Sequence, residues 1–426
     1  MRIGIIGTGI SGLVAAYRLC DTHDVTLFEA NDYVGGHTNT ASVQLDGENH
    51  NVDTGFIVFN DRTYPNFCRL LRELEVTSHP TTMSFSVRCD RSRIEYNGTS
   101  LNGLFAQRMN LIRPTFHRMI RDILRFNREA VRLLDRDGQD ITVGEFLLTN
   151  RYSDVFANRY LLPMGSAIWS CPSTAFEQFP IRFIAEFYKN HGLLGLRNRP
   201  VWRVIQGGSR RYVSAMTARL GDRIRLNSPV ESVLRLPGCV MLKSQGHPAE
   251  TYDEVIFACH SDQSLAILGN DATSTERQVL SQFPYQPNTA VLHTDTSLLP
   301  RRKRAWASWN YHIPETRLQH ATVTYNMNRL QHIRSKNVFC VTLNECDAID
   351  ERKVIRRFQY SHPVYTIQRA QAQNRHTELI RANRTSFCGA YWGNGFHEDG
   401  VNSALAVVSA YGRPSAARRE EVASHA

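Results

Sequence analysis

The chain opens on an apolar run, Ile3, Ile5 and Ile6, followed by Gly7-Thr8-Gly9-Ile10-Ser11-Gly12. A run of helical period from Leu13 to Cys20 comes next, and then a second apolar strand that ends in Glu29. The order strand, glycine turn, helix, strand, acid predicts a parallel strand–helix–strand unit that holds a dinucleotide. In such a unit the first glycine allows a tight turn, the second lets backbone N–H groups approach a pyrophosphate, and the third lets the helix pack close on the sheet. Gly7, Gly9 and Gly12 occupy those places, with Ile10 and Ser11 between them at the start of the helix. Glu29, seventeen residues after Gly12 and followed by Ala30, is placed to hold a ribose.

Further along, Gly35-Gly36-His37-Thr38 forms a polar turn in which paired glycines predict a second close backbone approach to the same ligand. Asn51 to Phe59 is a strand interrupted at Gly55, beside Phe56, which predicts a bulge or a ligand nearby. Leu104 to Arg136 has helical period apart from a break at Pro114. Phe116, Met119, Ile120, Ile123, Leu124, Val131 and Leu134 make its apolar face, and eight arginines stand against three acids on the remainder. That stripe either packs on its own domain or rests on anionic lipid. From 151 to 200, helices separated by Pro163, Pro172 and Pro180 carry Trp169, Phe176, Phe179, Phe183 and Phe187, candidates for an apolar cavity wall or for plain core. Short strands recur at Thr289–Asp295, Thr322–Tyr325 and Val338–Leu343, and a glycine-rich turn from Phe387 leads through His397 into an apolar helix ending near Tyr411.

Composition narrows the picture. A chain of 426 residues is long enough for two domains. No window holds the ~20 uninterrupted apolar residues of a membrane span, and a strand that begins at residue 2 leaves no room for a signal peptide, so the cytoplasm is the expected location. Nine scattered cysteines without C-x-x-C or zinc-like histidine spacing predict reduced thiols and no metal site. Cys259 and His260 are adjacent on a predicted strand and therefore point to opposite faces, which argues against a catalytic pair. A net charge of +10 favours anionic partners. Arg301-Arg302-Lys303-Arg304 beside Trp306 and Trp309 suits a membrane interface. With no nucleic-acid motif present, contact with an anionic membrane, at the inner face of the cytoplasmic membrane, is preferred over nucleic acid, which is not an expected partner; a solvated basic loop is the simplest alternative.

The opening fingerprint, the Gly35-Gly36-His37-Thr38 turn and Asp53-Thr54-Gly55 together resemble the flavoprotein superfamily of amine oxidases, phytoene desaturases and protoporphyrinogen oxidases. Most members carry Arg where this chain has His37. The resemblance implies an α/β fold with a discontinuous Rossmann-like FAD-binding domain (1–80, 200–268 and 376–412) and an inserted α+β substrate domain (81–199 and 269–375), followed by a disordered tail (413–426). It also implies that Val230 meets the adenine through its backbone. The closing motif, with Gly389, Phe396, Asp399 and Gly400, would lie against the flavin, and Ala390-Tyr391 stands there in place of the Thr-Glu of many amine oxidases. A closer resemblance, in the GGHT turn and the GFHEDG ending, is to a bacterial branch of predicted NAD/FAD-binding proteins associated with modified fatty acyl chains. It implies an FAD-dependent oxidoreductase that desaturates a methyl-branched acyl chain, with His397 and Glu398 as candidates for proton transfer and Tyr391, Trp392 and Trp309 as an aromatic wall. Glu398 and Asp399 could equally cap the last helix. Only five lysines occur, none in a good match to the lysine that amine oxidases place near the flavin, which argues against amine oxidation. An amine or isoprenoid oxidase, and a catalytically silent flavin-binding scaffold at the membrane, are the alternatives.

Overall fold

Burial on both faces makes the first strand, Arg2–Ile6, the centre of a five-stranded sheet. Its neighbours run in the order Ile224–Arg225, Asp24–Phe28, Arg2–Ile6, Glu254–Phe257, Thr385–Phe387, and every pair is parallel. Near-continuous apolar strands such as Glu254–Phe257, buried throughout, are what a parallel sheet covered on both sides requires. The computed structural model describes residues 1–135, 140–195, 199–315 and 320–412. The tail expected to be disordered, 413–426, lies outside the described residues.

One face of this sheet is covered by the first helix (Ile10–Leu19), the helix Arg210–Leu220 and the closing helix (His397–Ser409), whose apolar sides share one core with Ile3, Ile5 and Leu27. The other face packs on a three-stranded antiparallel sheet, Val230–Leu236, Cys239–Ser244 and Glu250–Tyr252. Strand order reverses beside Arg2–Ile6, where the chain leaves to Asp24–Phe28 on one side and meets Glu254–Phe257 on the other. The carboxyl ends of strands at such a switch point open a crevice for ligands. The segment at 204 does not enter the parallel sheet: Trp202–Ile205 pairs with Phe59–Asn60 and Ser78–Pro80 in a small sheet of its own.

A seven-stranded sheet lies on the far side of the crevice. Its order is Val354–Pro363, Tyr285–His293, Cys340–Leu343, Val323–Asn326, Trp309–Ile313, Phe85–Cys89, Ile94–Asn97, antiparallel except where Trp309–Ile313 runs parallel to Phe85–Cys89. The strands expected at 289–295, 322–325 and 338–343 are all present with ends shifted by a few residues.

The arginine-rich helix is Pro114–Leu134, and Pro114 starts it rather than breaking it, since the first turn needs no N–H from that residue. Phe116, Met119, Phe126 and Ala130 form its buried stripe, and the helix packs against the aromatic helix Ile181–Asn190. Two residues expected on that stripe, Leu124 and Val131, are 45% and 37% exposed, because each stands about 100° round the helix from its inward neighbour. All nine cysteines are free thiols. Among the described residues no helix is long and apolar enough to cross a membrane.

Candidate functional site

Four glycines shape the crevice. Gly7 has φ +103°, and a Cβ there would meet the Ala258 carbonyl oxygen at 2.9 Å; a Cβ on Gly12 would overlap the carbonyl oxygen of Gly7. On Gly9, by contrast, a Cβ would meet nothing within 4 Å, so this residue is bare toward open space rather than toward protein. Gly36, at φ +57°, packs its own Cβ position 3.2 Å from the Gly9 Cα, which joins the second glycine turn to the first. The N–H groups at the start of the first helix thus stand behind a surface with no side chains, the arrangement that receives an anion.

Glu29 is buried at the carboxyl end of Asp24–Phe28. Its Oε2 accepts from the Thr8 N–H (3.1 Å) and hydroxyl (2.5 Å), and its Oε1 accepts from the backbone and side chain of Asn31 (3.0 and 2.7 Å). Ala30 is exposed beside it. The Ser228 N–H donates to the Glu29 carbonyl at 2.8 Å and the Asn227 N–H to that of Asn31 at 3.0 Å, which carries Val230, at the head of its strand, alongside the same acid. Residues two hundred positions apart in sequence meet here.

Other predicted site residues are engaged with protein. Ser11 Oγ donates to the Gly400 carbonyl at 2.9 Å, and a Cβ on Gly400 would press on Ile10, so these three form the seam between the first and closing helices. A Cβ on Gly55 would overlap the His37 carbonyl oxygen, which accepts from the Phe56 N–H at 2.8 Å. The Gly389 N–H donates to Ser403 Oγ at 2.9 Å. Asp399 accepts from the Phe396 N–H at 2.9 Å as a cap of the closing helix, and burial pushes its carboxyl up to about 6. Both oxygens of Glu398 accept from the second helix (Pro65–Glu73), at the N–H groups of Asn66 (2.9 Å) and Phe67 (2.8 Å). Capping of a neighbouring helix, not its own, is therefore the work of Glu398 in this structure.

His397 is stacked on Phe56 with ring centroids 3.4 Å apart, and its Nε2 is bonded to Thr38 Oγ1 (2.9 Å) and the Tyr212 hydroxyl (3.0 Å). Thr38 and Tyr212 are themselves 2.5 Å apart. Burial holds His397 well below the usual histidine range, so the ring is neutral at pH 7. Phe396, the next residue back, stacks on Phe187 at 5.2 Å. Phe187 belongs to the group predicted at 151–200: Trp169, Phe176, Phe179, Phe183 and Phe187 gather with Tyr365 in one aromatic cluster, mostly as buried core. The expected wall of Tyr391, Trp392 and Trp309 does not form. Tyr391 and Trp392 pack on Phe283, whereas Trp309 stands on the far sheet against Tyr325.

A histidine cluster, not foreseen as a group, lies across the glycine turns. His37 has Tyr360 at 5.0 Å, His362 at 5.3 Å and His260 at 6.1 Å between ring centroids, and His260 stacks on Tyr285 at 4.3 Å. Asn288 Nδ2 donates to His362 Nδ1 at 2.9 Å. Cys259 turns the other way, to Ser264 Oγ at 3.4 Å. One cue was local: Phe358, Tyr360 and His362 alternate along Val354–Pro363 and so share a face. Among the described residues, no three His, Cys, Asp or Glu side chains are gathered as metal ligands.

Desolvation lowers His37 and His260 to about 4 and His362 to about 3, and lowers the buried His191 and His293 to about 4. A histidine depressed in the folded state is protonated more readily when unfolded, so its contribution is complete above pH ~6.5 and is lost as pH falls toward 4. Asp53, raised to about 6 by burial, and Asp399 act in the opposite sense, but the histidines outnumber them. The thermal unfolding midpoint should therefore fall between pH 7 and pH 5; a midpoint that holds or rises would show these rings to be solvated.

A doubly wound sheet with a bare glycine turn, a buried acid at the second strand and a capped closing helix is the architecture of a dinucleotide-binding protein. The sequence profile described as flavin containing amine oxidoreductase matches residues 10–324, and the chain belongs to that family. Its cofactor is FAD, and the bare face of Gly9, the first-helix N–H groups and the position of Glu29 all suit that group. AofH of Mycobacterium tuberculosis, which bears the name flavin-containing monoamine oxidase, is 27% identical over 257 residues, 58% of this chain and 54% of its own. The chain thus matches only about half the length of that curated relative. Cyclohexylamine oxidase from Brevibacterium oxydans IH-35A has a similar fold (TM-score 0.68, 15% identity, 97% of this chain and 99% of that one). So does a conjugated-linoleic-acid-producing fatty acid isomerase from P. acnes (TM-score 0.67, 16% identity, 96% and 98%).

Proposed function

We propose that this protein is an FAD-dependent dehydrogenase of fatty acyl chains, desaturating a methyl-branched chain. The observation that carries the reading is the aromatic lining beside the closing motif: Phe396 continues through Phe187 into the mostly buried cluster of Trp169, Phe183 and Tyr365, and the two ionic groups that border it are already engaged, Arg369 with the Tyr391 and Gly393 carbonyls and Asp399 with the Phe396 N–H. None of the five lysines is buried, and none touches the histidine cluster: Lys243 donates to the His247 carbonyl, Lys353 pairs with Asp295 and Lys303 lies over Trp306. The fold has a neighbour whose name is that of a fatty acid isomerase, which supports an acyl chain as a substrate this architecture accepts.

When bound, FAD supplies the two-electron acceptor that takes a hydride from a substrate carbon. The chain supplies the rest. Phe396, Phe187 and the stacked His191 exclude water from the reacting carbons. Formation of the double bond releases a proton from the adjacent carbon, and a base must take it. Glu398 is occupied as a clamp on Asn66 and Phe67. His397 is neutral, its Nε2 is held by Thr38 and Tyr212, and its Nδ1 is the atom proposed to accept the proton. Replacing His397 with Gln should keep flavin content while slowing flavin reduction about 10²-fold; an unchanged rate would remove His397 from the mechanism.

The direct test is an anaerobic absorbance spectrum before and after adding bacterial phospholipid with methyl-branched chains. Bleaching of the flavin by that lipid, with none by straight-chain saturated lipid, is expected. Bleaching by amines or polyenes instead would replace the acyl reading, and a flavin that no acyl lipid reduces would favour a silent binding protein.

A further inference from the structure

The tertiary structure joins two basic segments that are two hundred residues apart in sequence. The short helix Leu101–Leu104 packs against the turn Lys303–Ala305, and the turn Arg108–Leu111 packs against the arginine-rich helix Pro114–Leu134. At the tip stand four large apolar side chains in the open: Leu101 (76% exposed), Ile112 (71%), Met109 (55%) and Leu111 (50%). Soluble proteins seldom leave such a group uncovered without a partner for it.

Cations ring this tip. Arg91, Arg118, Arg121, Lys303 and Arg304 are all exposed, and among the described residues none of them is ion-paired. The outward stripe of the helix continues the theme, with Arg121, Leu124, Arg128 and Val131 at spacings of three and four. Most nearby acids are turned inward, Asp135 and Asp154 being exposed exceptions. Asp90 is held by Arg88 (3.0 Å) and His312 (2.9 Å), Glu95 is buried and accepts from the N–H groups of Arg301 and Arg302, and Glu129 is held by Arg125 (2.8 Å). The face therefore presents apolar side chains and positive charge together, with little negative charge to offset it.

We infer that the 101–132 face and the Arg301–Arg304 loop dock this protein on an anionic lipid bilayer, with Leu101, Met109, Leu111 and Ile112 inserted among the acyl chains and the arginines against the head groups. This goes beyond the acyl-chain reading and stands without it. The docking helix packs directly on Ile181–Asn190, whose Phe187 stacks on Phe396, so the bilayer surface lies one helix away from the aromatic cluster.

Flotation of the full-length flavoprotein with vesicles tests this. Wild type should float with 7:3 phosphatidylcholine:phosphatidylglycerol and weakly with phosphatidylcholine alone, and 0.5 M NaCl should release most of it. The double variants Leu111→Ser/Ile112→Ser and Arg118→Glu/Arg121→Glu alter only exposed positions. Each should keep its flavin and lose vesicle affinity on the order of tenfold or more. Equal flotation with neutral vesicles, no flotation, wild-type behaviour of both variants, or tighter binding to a single-stranded oligonucleotide than to the anionic vesicles would overturn the inference. Flavin reduction by acyl chains dispersed in detergent reads the proposed chemistry separately, so the two proposals fail independently.

Discussion

Substituting Gly12 with Val should yield protein that purifies without flavin. The first carbon of any side chain at position 12 would overlap the Gly7 carbonyl oxygen and lie 3.1 Å from Ala258 Cβ, and neither can retreat, since Gly7 N–H is bonded to the Phe28 carbonyl (2.8 Å) and Ala258 N–H to that of Ile6 (2.8 Å). The helix must move off the sheet, and the N–H groups at its start move with it. Overpacking of this kind costs about 1–3 kcal/mol in stability, but the loss of a positioned anion site should weaken FAD binding by about 100-fold or more, roughly 3 kcal/mol at ten-fold per 1.4 kcal/mol. The ratio of absorbance at 450 and 280 nm, followed by titration with FAD, measures it. Gly98→Ala is the control, because a Cβ there also meets no protein atom and the residue follows the strand Ile94–Asn97, away from the crevice. A variant at position 12 that retains flavin like wild type would mean that the turn does not face the cofactor.

The second large effect is expected at Arg235. Its guanidinium donates to both oxygens of Glu276 (2.8 and 2.9 Å) and to Asp271 (2.7 Å), and the Glu276 side chain is only 1% exposed. Replacing Arg235 with Met leaves a buried carboxylate without its cation, which costs about 3–5 kcal/mol, a large part of the stability of an ordinary domain. Urea unfolding should show it. The same pair fixes the strand Val230–Leu236 to the helix Ser274–Leu280, so flavin affinity should fall as well. The double variant Arg235→Met/Glu276→Met should recover much of the loss, because the buried charge is then gone and the remaining partner, Asp271, is 23% exposed and reaches water; failure to recover would show that packing of the arginine stem, rather than its charge, supports the strand.

How much of this was legible beforehand follows the range of each interaction. The strand–turn–helix–strand opening was readable because glycine spacing, helical period and strand length are local properties. So were the aromatic cluster at 169–187, where neighbours in sequence remain neighbours in space, and the strands at 285–293, 323–326 and 340–343. The stripe of Pro114–Leu134 was misjudged at Leu124 and Val131. Hydrophobicity alone does not say which of two adjacent apolar residues faces the partner helix, and Ile123 and Ala130 took the inward places beside Leu124 and Val131. The proposed wall of Tyr391, Trp392 and Trp309 failed for a related reason: similar composition does not bring residues onto the same sheet.

By itself, the sequence determined the dinucleotide turn, the acid that follows it, the scarcity of lysine and the positive charge, since each is a matter of residue type and short spacing. Tertiary structure alone decided that Glu398 clamps the second helix, that His37, His260 and His362 meet across the crevice, and that Arg301–Arg304 joins the apolar tip at 101–112. These contacts connect positions from about 100 to more than 300 residues apart. Only closure of the chain into packed sheets sets such distances, and no local periodicity encodes them.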